Sequence, residues 1–273
     1  PRMNAPKNTN MLENKYLTYQ KFRDFYGRDV LRIKKGAQPT PAALEALRNF
    51  TQAHPDYIVK PIYAAFGKGV HTASIRDYPY LEAAHAAYSA HGAILEQIIE
   101  QGEALSRIHP QSVNTLRIPT VVLADGEVRL FHPTLRVGRG EGIIDNFSAG
   151  GISALIDPET GCICSNGADK KGHRYVTHPD TGVRFRGTPI PQWEEICAFC
   201  RSAAQTLPCL RVVGWDVAIL PGGKLELIEG NHNPGMNIVQ APAKHGVHDK
   251  FAHMLLDFYG DPAQYAYETV KKP

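Results

Sequence analysis

The residue that most restricts how this chain can fold is an aspartate inside an apolar strand. The run VVGWDVAIL is apolar enough for a buried strand, and Asp216 interrupts it. A carboxylate removed from water must be met by a cation or by hydrogen bonds to offset its desolvation. After the turn PGGK, the run LELIEGNHNPG carries Glu229 and Asn231 near its end. In an antiparallel hairpin of regular register Asp216 and Glu229 come side by side. Glu229 and Asn231, two positions apart, share one face of an extended strand. Hard oxygen donors of this kind suit Mg²⁺, or Mn²⁺ in its place, with phosphate oxygens and waters completing the shell. His232 is a loop neighbour and a poor match to a hard cation. A hydrogen-bonded surface hairpin accounts for each residue separately, but not for an acid inside GWDVAIL.

Three further stretches supply complementary chemistry. FGKGV, residues 66–70, follows IVKPI, so that Gly67 and Gly69 let backbone amides approach an anion while Lys60 reaches in from a strand end. The pattern GxxxxGK[ST] is absent, so this is not the Walker arrangement, and a plain glycine turn beside a surface lysine fits these residues equally. ILEQIIEQGEALS, residues 94–106, can line a flat adenine slot with the backbone of Glu96, Gln97, Ile98 and Ile99, with Glu103 suited to ribose hydroxyls. Taken alone it also passes as core. Arg117, in NTLRIPTVV, projects from a β-branched run toward an anionic centre or else makes a structural salt bridge.

The order of elements favours a mixed α/β chain with antiparallel hairpins, the clearest being 113–123 and 127–137 joined by ADGE. No strand leads into GxGxxG at a helix start, which argues against a nicotinamide-type Rossmann domain. Residues 1–13 read as a tail, NKYLTYQKFRDFYG as a helix ending near Gly27, and HGVHDKFAHMLLDFYG as a closing helix. The polar, weakly periodic stretch 160–190 reads as a surface insertion, the kind of place where substrate lids occur. Lys171, His173 and Arg174 within it are acceptor or lid contacts on one reading and loop polarity on the other.

An apolar fraction of 43% with 21% charged residues belongs to a folded protein. Thirty Lys and Arg against 27 Asp and Glu are too balanced for a nucleic-acid footprint, and no apolar run is long enough to span a membrane. The N-terminus has no apolar secretory core, so the expected location is cytoplasmic. Cys162–Cys164 and Cys197–Cys200 are weak zinc signals, and reduced structural thiols are the expectation.

Taken in order, NKYLTYQKF, IVKPIYAAFGKGV, ILEQIIEQ with Glu103, SVNTLRIPTVV, NFSAGGISALID, GWDVAIL and IEGNHNPG resemble the ATP-grasp superfamily. The resemblance is closest to the sugar-transfer-associated ATP-grasp family, related to glutamate ligases, and runs from about Asn14 to Gln240. It implies an α/β (α+β) fold of two lobes, each with a mainly antiparallel sheet and helices, and a nucleotide cleft between them. The small lobe would be 14–100, and the larger lobe 101–273 would hold the metal site and the insertion. Lys15 and Lys60 would contact the nucleotide phosphates beneath a glycine loop of Ala65, Phe66, Gly67, Lys68 and Gly69. Glu96, Gln97, Ile98 and Ile99 would meet adenine and Glu103 ribose. Asp216, Glu229 and Asn231 would bind metal, and Arg117 with Lys60 would steady the transferring phosphoryl group.

The implied activity uses ATP and Mg²⁺ to join a small-molecule or peptide carboxylate to an amine through an acyl phosphate, releasing ADP and phosphate. The alternatives are a small-molecule or sugar kinase and a non-catalytic nucleotide-binding module. An α/β domain that helps bind the acceptor often precedes this core in the family, and an upstream domain or an oligomer partner is one way to complete the acceptor site. Asp216→Asn and Glu229→Gln are both expected to spare the fold while cutting turnover.

Overall fold

Two antiparallel sheets organise residues 4–63, 69–142, 145 and 147–244, which the computed structural model describes. The first helices are α1 (Pro6–Glu13) and α2 (Lys15–Lys21). The smaller sheet follows, from β1 (Val30–Ile33), β2 (Asp56–Pro61), β3 (His71–Ser74) and β4 (Ala93–Gln97), in the order β1-β4-β2-β3. Between its strands lie α3 (Pro41–Ala53) and α4 (Leu81–His91). Thr40 caps α3 by accepting from Ala43 N at 3.2 Å, and Pro41 fits the first turn, where its missing N–H is not needed. Helical spacing then brings Leu47 and Phe50 onto Tyr57, Val59, Tyr88 and Leu95 in one apolar core.

The larger sheet begins after α5 (Glu103–Ser106) with β5 (Thr115–Val122), β6 (Val128–Leu130), β7 (Thr134–Val137), β8 (Ile152–Leu155), β9 (Gly167–Ala168) and β10 (Arg174–Tyr175). It continues after α6 (Trp193–Thr206) with β11 (Val212–Ile219) and β12 (Leu225–Asn231), and α7 (Asn237–Ala243) follows. The order is β10-β9-β8-β7-β5-β11-β12, with β6 paired only to β5. Every residue of β5 and β11 is buried. Leu116, Ile118, Trp215 and Val217 join Ile196, Cys200 and Ala203 of α6 in a single core. Strand alternation consequently turns Arg117 and Asp216 to the opposite face, toward the smaller sheet.

The ADGE hairpin forms, but its second strand is broken. His132, at φ 44°, makes a bulge, so that β6 pairs with β5 by Thr120 and Leu130 while β7 pairs by Arg117 and Thr134, one residue out of step.

Residues 4–13 are not a tail. Asn4 Nδ2 donates to Val212 O and His232 O, both at 2.6 Å, and its Oδ1 accepts from Val212 N at 3.0 Å. Leu12 of α1 is buried, and Phe22 meets Trp215 edge-on with ring centroids 5.2 Å apart. These apolar side chains bury against β11 and β12, so the N-terminal helices belong to the body of the larger sheet, and the smaller unit starts near Val30 rather than at residue 14.

The stretch 160–190 is not a polar surface loop. It forms little regular structure, yet Ile163, Phe185 and Ile190 plug the main core and Asp169 and His178 are buried. The five cysteines are free, with Cys197 and Cys200 packed inside α6, where burial pushes both thiols up. The expected closing helix lies outside the described residues. Among the described residues no helix is long and apolar enough to cross a membrane.

Candidate functional site

The hairpin of β11 and β12 places Asp216 directly opposite Glu229, but not by regular register. Val217 faces Leu227, so an uninterrupted ladder would set Ile228 against Asp216. A β-bulge at this step sets Glu229 there instead, and both Ile228 and Glu229 reach the wall of one cleft. On the other side of β11, Arg117 of β5 is the register partner of Asp216. Arg117, Asp216 and Glu229 therefore stand in a row across three strands.

Asp216 is held by two guanidiniums. Arg117 donates through Nε to Oδ1 and through Nη2 to Oδ2 at 2.9 Å, while Arg136 Nη1 donates to Oδ2 at 2.6 Å. Arg136 Nη2 also reaches Asp145 Oδ1 at 3.0 Å, and Asp145 accepts from Thr115 N at 3.0 Å and from Thr115 Oγ1. Burial pushes the Asp216 pKa up, but the two arginines outweigh it and hold the carboxyl below its usual range. Glu229 lies on the other side of the balance: burial first, and then the Asp216 charge, raise its pKa. With its amide turned to match its neighbours, the Asn231 carboxamide donates to Glu229 Oε1 at 3.2 Å and accepts from Arg117 Nη2 at 3.1 Å.

The cations come from the smaller sheet and from α2. Lys60 Nζ, at the end of β2, donates to Glu96 Oε2 at 2.6 Å. Arg28 Nε donates to the same oxygen at 2.8 Å and Arg28 Nη1 to Glu226 Oε1 at 2.6 Å. Burial raises the Glu96 pKa, yet Arg28 and Lys60 overcome it and hold the group at about 2. Lys15 opens α2, and its backbone N–H donates to Ile62 O at 3.2 Å, tying that helix to the end of the smaller sheet. Burial lowers the Lys15 pKa, Glu229 opposes the shift, and Lys60 adds to it.

Lys60, Glu96, Ile228 and Glu229 line both a narrow recess, which Lys15 and Tyr26 close, and a wider, more open cleft between the sheets. Gln97, Ile98 and Ile99 line the wider cleft beside Thr115, Arg136, Asp145 and Asp216, so the expected adenine segment and acidic centre share one space. The Glu96 side chain is committed to Lys60 and Arg28, and its backbone lies in the ladders that join β4 to β1 and β2. Glu103 is exposed at the start of α5, past Gly102, and is not part of the cleft wall. Ala65, Phe66, Gly67 and Lys68 lie outside the described residues. Gly69 has φ 74°, and a Cβ there would meet Pro61 Cγ at 2.8 Å, so the turn requires glycine.

Arg28, Arg136 and Asp145 are not among the residues that the sequence singles out. Arg136, in FHPTLRVG, bears the same mark as Arg117, a cation inside an apolar strand. The donor set of Glu229, Asn231 and Asp216 is all hard oxygen or amide, and the half-buried Glu229 carboxyl beside a second acid fits a divalent cation. Asp216 fits less fully, because both its oxygens already accept from arginines. Among the described residues no group of three His, Cys, Asp or Glu side chains is placed to hold a metal, so such a site depends on Asn231 and on ligand oxygens.

A model of the sugar-transfer-associated ATP-grasp family matches residues 1–254. The chain belongs to that family. Three solved structures are similar to this ATP-grasp chain. The ATP-grasp ligase PsnB, complexed with minimal precursor, Mg and ADP, is 16% identical over 93% of this chain and 61% of its own, with a TM-score of 0.55. D-alanyl-alanine synthetase A from Vibrio cholerae is 14% identical over 93% of this chain and 66% of its own, also at 0.55. The ADP complex of purK, an N5-carboxyaminoimidazole ribonucleotide synthetase, is 13% identical over 84% of this chain and 46% of its own, at 0.50. At identities this low the likeness shows the fold alone, and the chain spans less than two thirds of the length of each. No curated protein sequence matches it.

Proposed function

We propose that this chain is an ATP-dependent carboxylate–amine ligase. The observation that carries the reading is the pair Asp216 and Glu229 on the larger sheet, which share a cleft with Lys60, while Lys15 joins Lys60 and Glu229 in the adjoining recess. A buried and a half-buried acid near two lysines form a site for a polyanion accompanied by a cation. The ligases among the similar structures, one of them complexed with Mg and ADP, support the same assignment.

In this reading Lys60 and Lys15 bind the nucleotide phosphates, and the segment Glu96–Ile99 takes the base. Glu229 and Asn231, with Asp216 behind them, would hold Mg²⁺ or Mn²⁺, which when bound neutralises phosphate charge. A substrate carboxylate oxygen attacks the γ-phosphorus, and the bond to the β-phosphate oxygen breaks to release ADP. Arg117, fixed by Asp216, meets the charge that builds on the phosphoryl oxygens. An amine then attacks the acyl carbon, phosphate leaves, and the amine nitrogen loses a proton to give the amide. The cleft between the sheets shields the acyl phosphate from water. Peptide carboxylates are included as substrates because PsnB was solved with a precursor peptide.

The test pairs a panel of carboxylates, peptides included, with a panel of amines in the presence of ATP and Mg²⁺, reading ADP release and product mass together. An amide formed only when both partners are present supports the ligase. A stable phosphate ester formed without amine replaces it with a kinase, and nucleotide binding without ADP release under any pairing replaces it with a binding module.

A further inference from the structure

We infer that Arg28 is a positioning residue that sets both halves of the proposed nucleotide site at once. It lies where the chain leaves the N-terminal helices for the smaller sheet, is buried, and stacks on Tyr26 with its guanidinium 4.4 Å from the ring centre. Its Nε donates to Glu96 Oε2, the same oxygen that receives Lys60. In the other direction Nη1 donates to Glu226 Oε1 at 2.6 Å and to Leu227 O at 2.8 Å, and Nη2 points to Ile228 O at 3.4 Å.

Those two carbonyls flank the bulge that brings Glu229 opposite Asp216. A bulge interrupts the strand ladder and leaves backbone groups that need other partners. Arg28 supplies the donors, with Glu226 as counter-charge, and Glu226 is itself fixed by Gly27 N at 2.7 Å. One guanidinium with its planar fork of donors spans the two sheets, and an ammonium has no such reach. Without Arg28, Glu96 pairs with Lys60 alone and draws it from the phosphates, while the bulge loses its side-chain partner and Glu229 its fixed place. The inference rests on the ligase reading only in taking Lys60 and Glu229 as nucleotide and metal residues.

The test uses Arg28→Met, Arg28→Lys and the double variant Arg28→Met with Glu226→Met. The double variant replaces a buried ion pair with apolar volume and keeps the fold when the single change does not. Three readouts apply: ADP binding by calorimetry with and without Mg²⁺, KM for ATP against kcat, and hydrogen exchange of the amides in 226–231. Loss of a supporting partner of this kind costs about 10–100-fold in affinity. The expectation is a loss of that size in Mg²⁺-dependent ADP affinity in the folded double variant, with faster exchange at Ile228 and Glu229 and partial recovery in Arg28→Lys. Wild-type affinity and exchange in the double variant overturn the inference. Lys60→Ala runs alongside: if it loses ADP while the Arg28 variants keep it, the inference fails and the ligase reading stands. If the wild-type protein binds no nucleotide, both fall.

Discussion

Asp216 and Glu229 face each other across one step of the β11–β12 ladder, yet their environments drive them in opposite directions. Asp216 is held ionised by Arg117 and Arg136, while burial and the Asp216 charge make ionisation of Glu229 unfavourable. One acid anchors the arginines, and the other is the one assigned to a cation in the proposed ligase.

Substitutions at the two positions should consequently diverge, contrary to the expectation that both spare the fold. Asp216→Asn leaves two buried guanidiniums short of a charge, a loss of about 3–5 kcal/mol for a buried pair. Urea unfolding should show it. Glu229→Gln removes a half-buried charge set beside Asp216 and should leave the unfolding midpoint unchanged or higher, while Mg²⁺-dependent ATP turnover falls by about a hundredfold. A large drop in stability for Glu229→Gln, or wild-type turnover, contradicts this division.

Lys60→Met should act on nucleotide affinity. A charge-assisted hydrogen bond is worth about 1.5–3 kcal/mol, which corresponds to about 10–100-fold in Kd for ADP. Calorimetry on the variant reads this directly, and an unchanged Kd removes Lys60 from the phosphate site.

Glu96 should shape the acid limb of stability. Its pKa lies near 2 in the folded protein against an ordinary 4.5, so its contribution is complete above about pH 4.5 and disappears as the pH falls toward 2. Denaturant midpoints measured across that window should fall less steeply in Glu96→Gln than in the wild-type protein, even though the variant is less stable at neutral pH.

Phe185→Ala tests the 160–190 stretch. Phe185 is 1% exposed and sits in the main core, so its truncation should cost about 3–5 kcal/mol, whereas a side chain in a surface insertion would cost almost nothing.

The acidic centre and Arg117 were legible because a charge inside an apolar strand has few explanations. Gly69 was legible because a tight turn needs its backbone freedom. The bulge at Ile228 was not: no glycine or proline marks it, and the pairing of β11 with β12 is fixed by packing on both faces rather than by the turn. The place of α1 and α2 was hidden for a related reason, since Leu12 and Phe22 find their partners some two hundred positions away. The 160–190 stretch carries scattered apolar plugs with no helical or strand period, so its burial leaves no periodic trace.

The seating of the first helix has a practical side. Leu12 lies against Trp215 and would crowd any Cβ placed at Gly230. Shortened versions of the protein starting at Asn14 would strip this cover and open the indole to water. Trimming of these residues should show first as aggregation during expression.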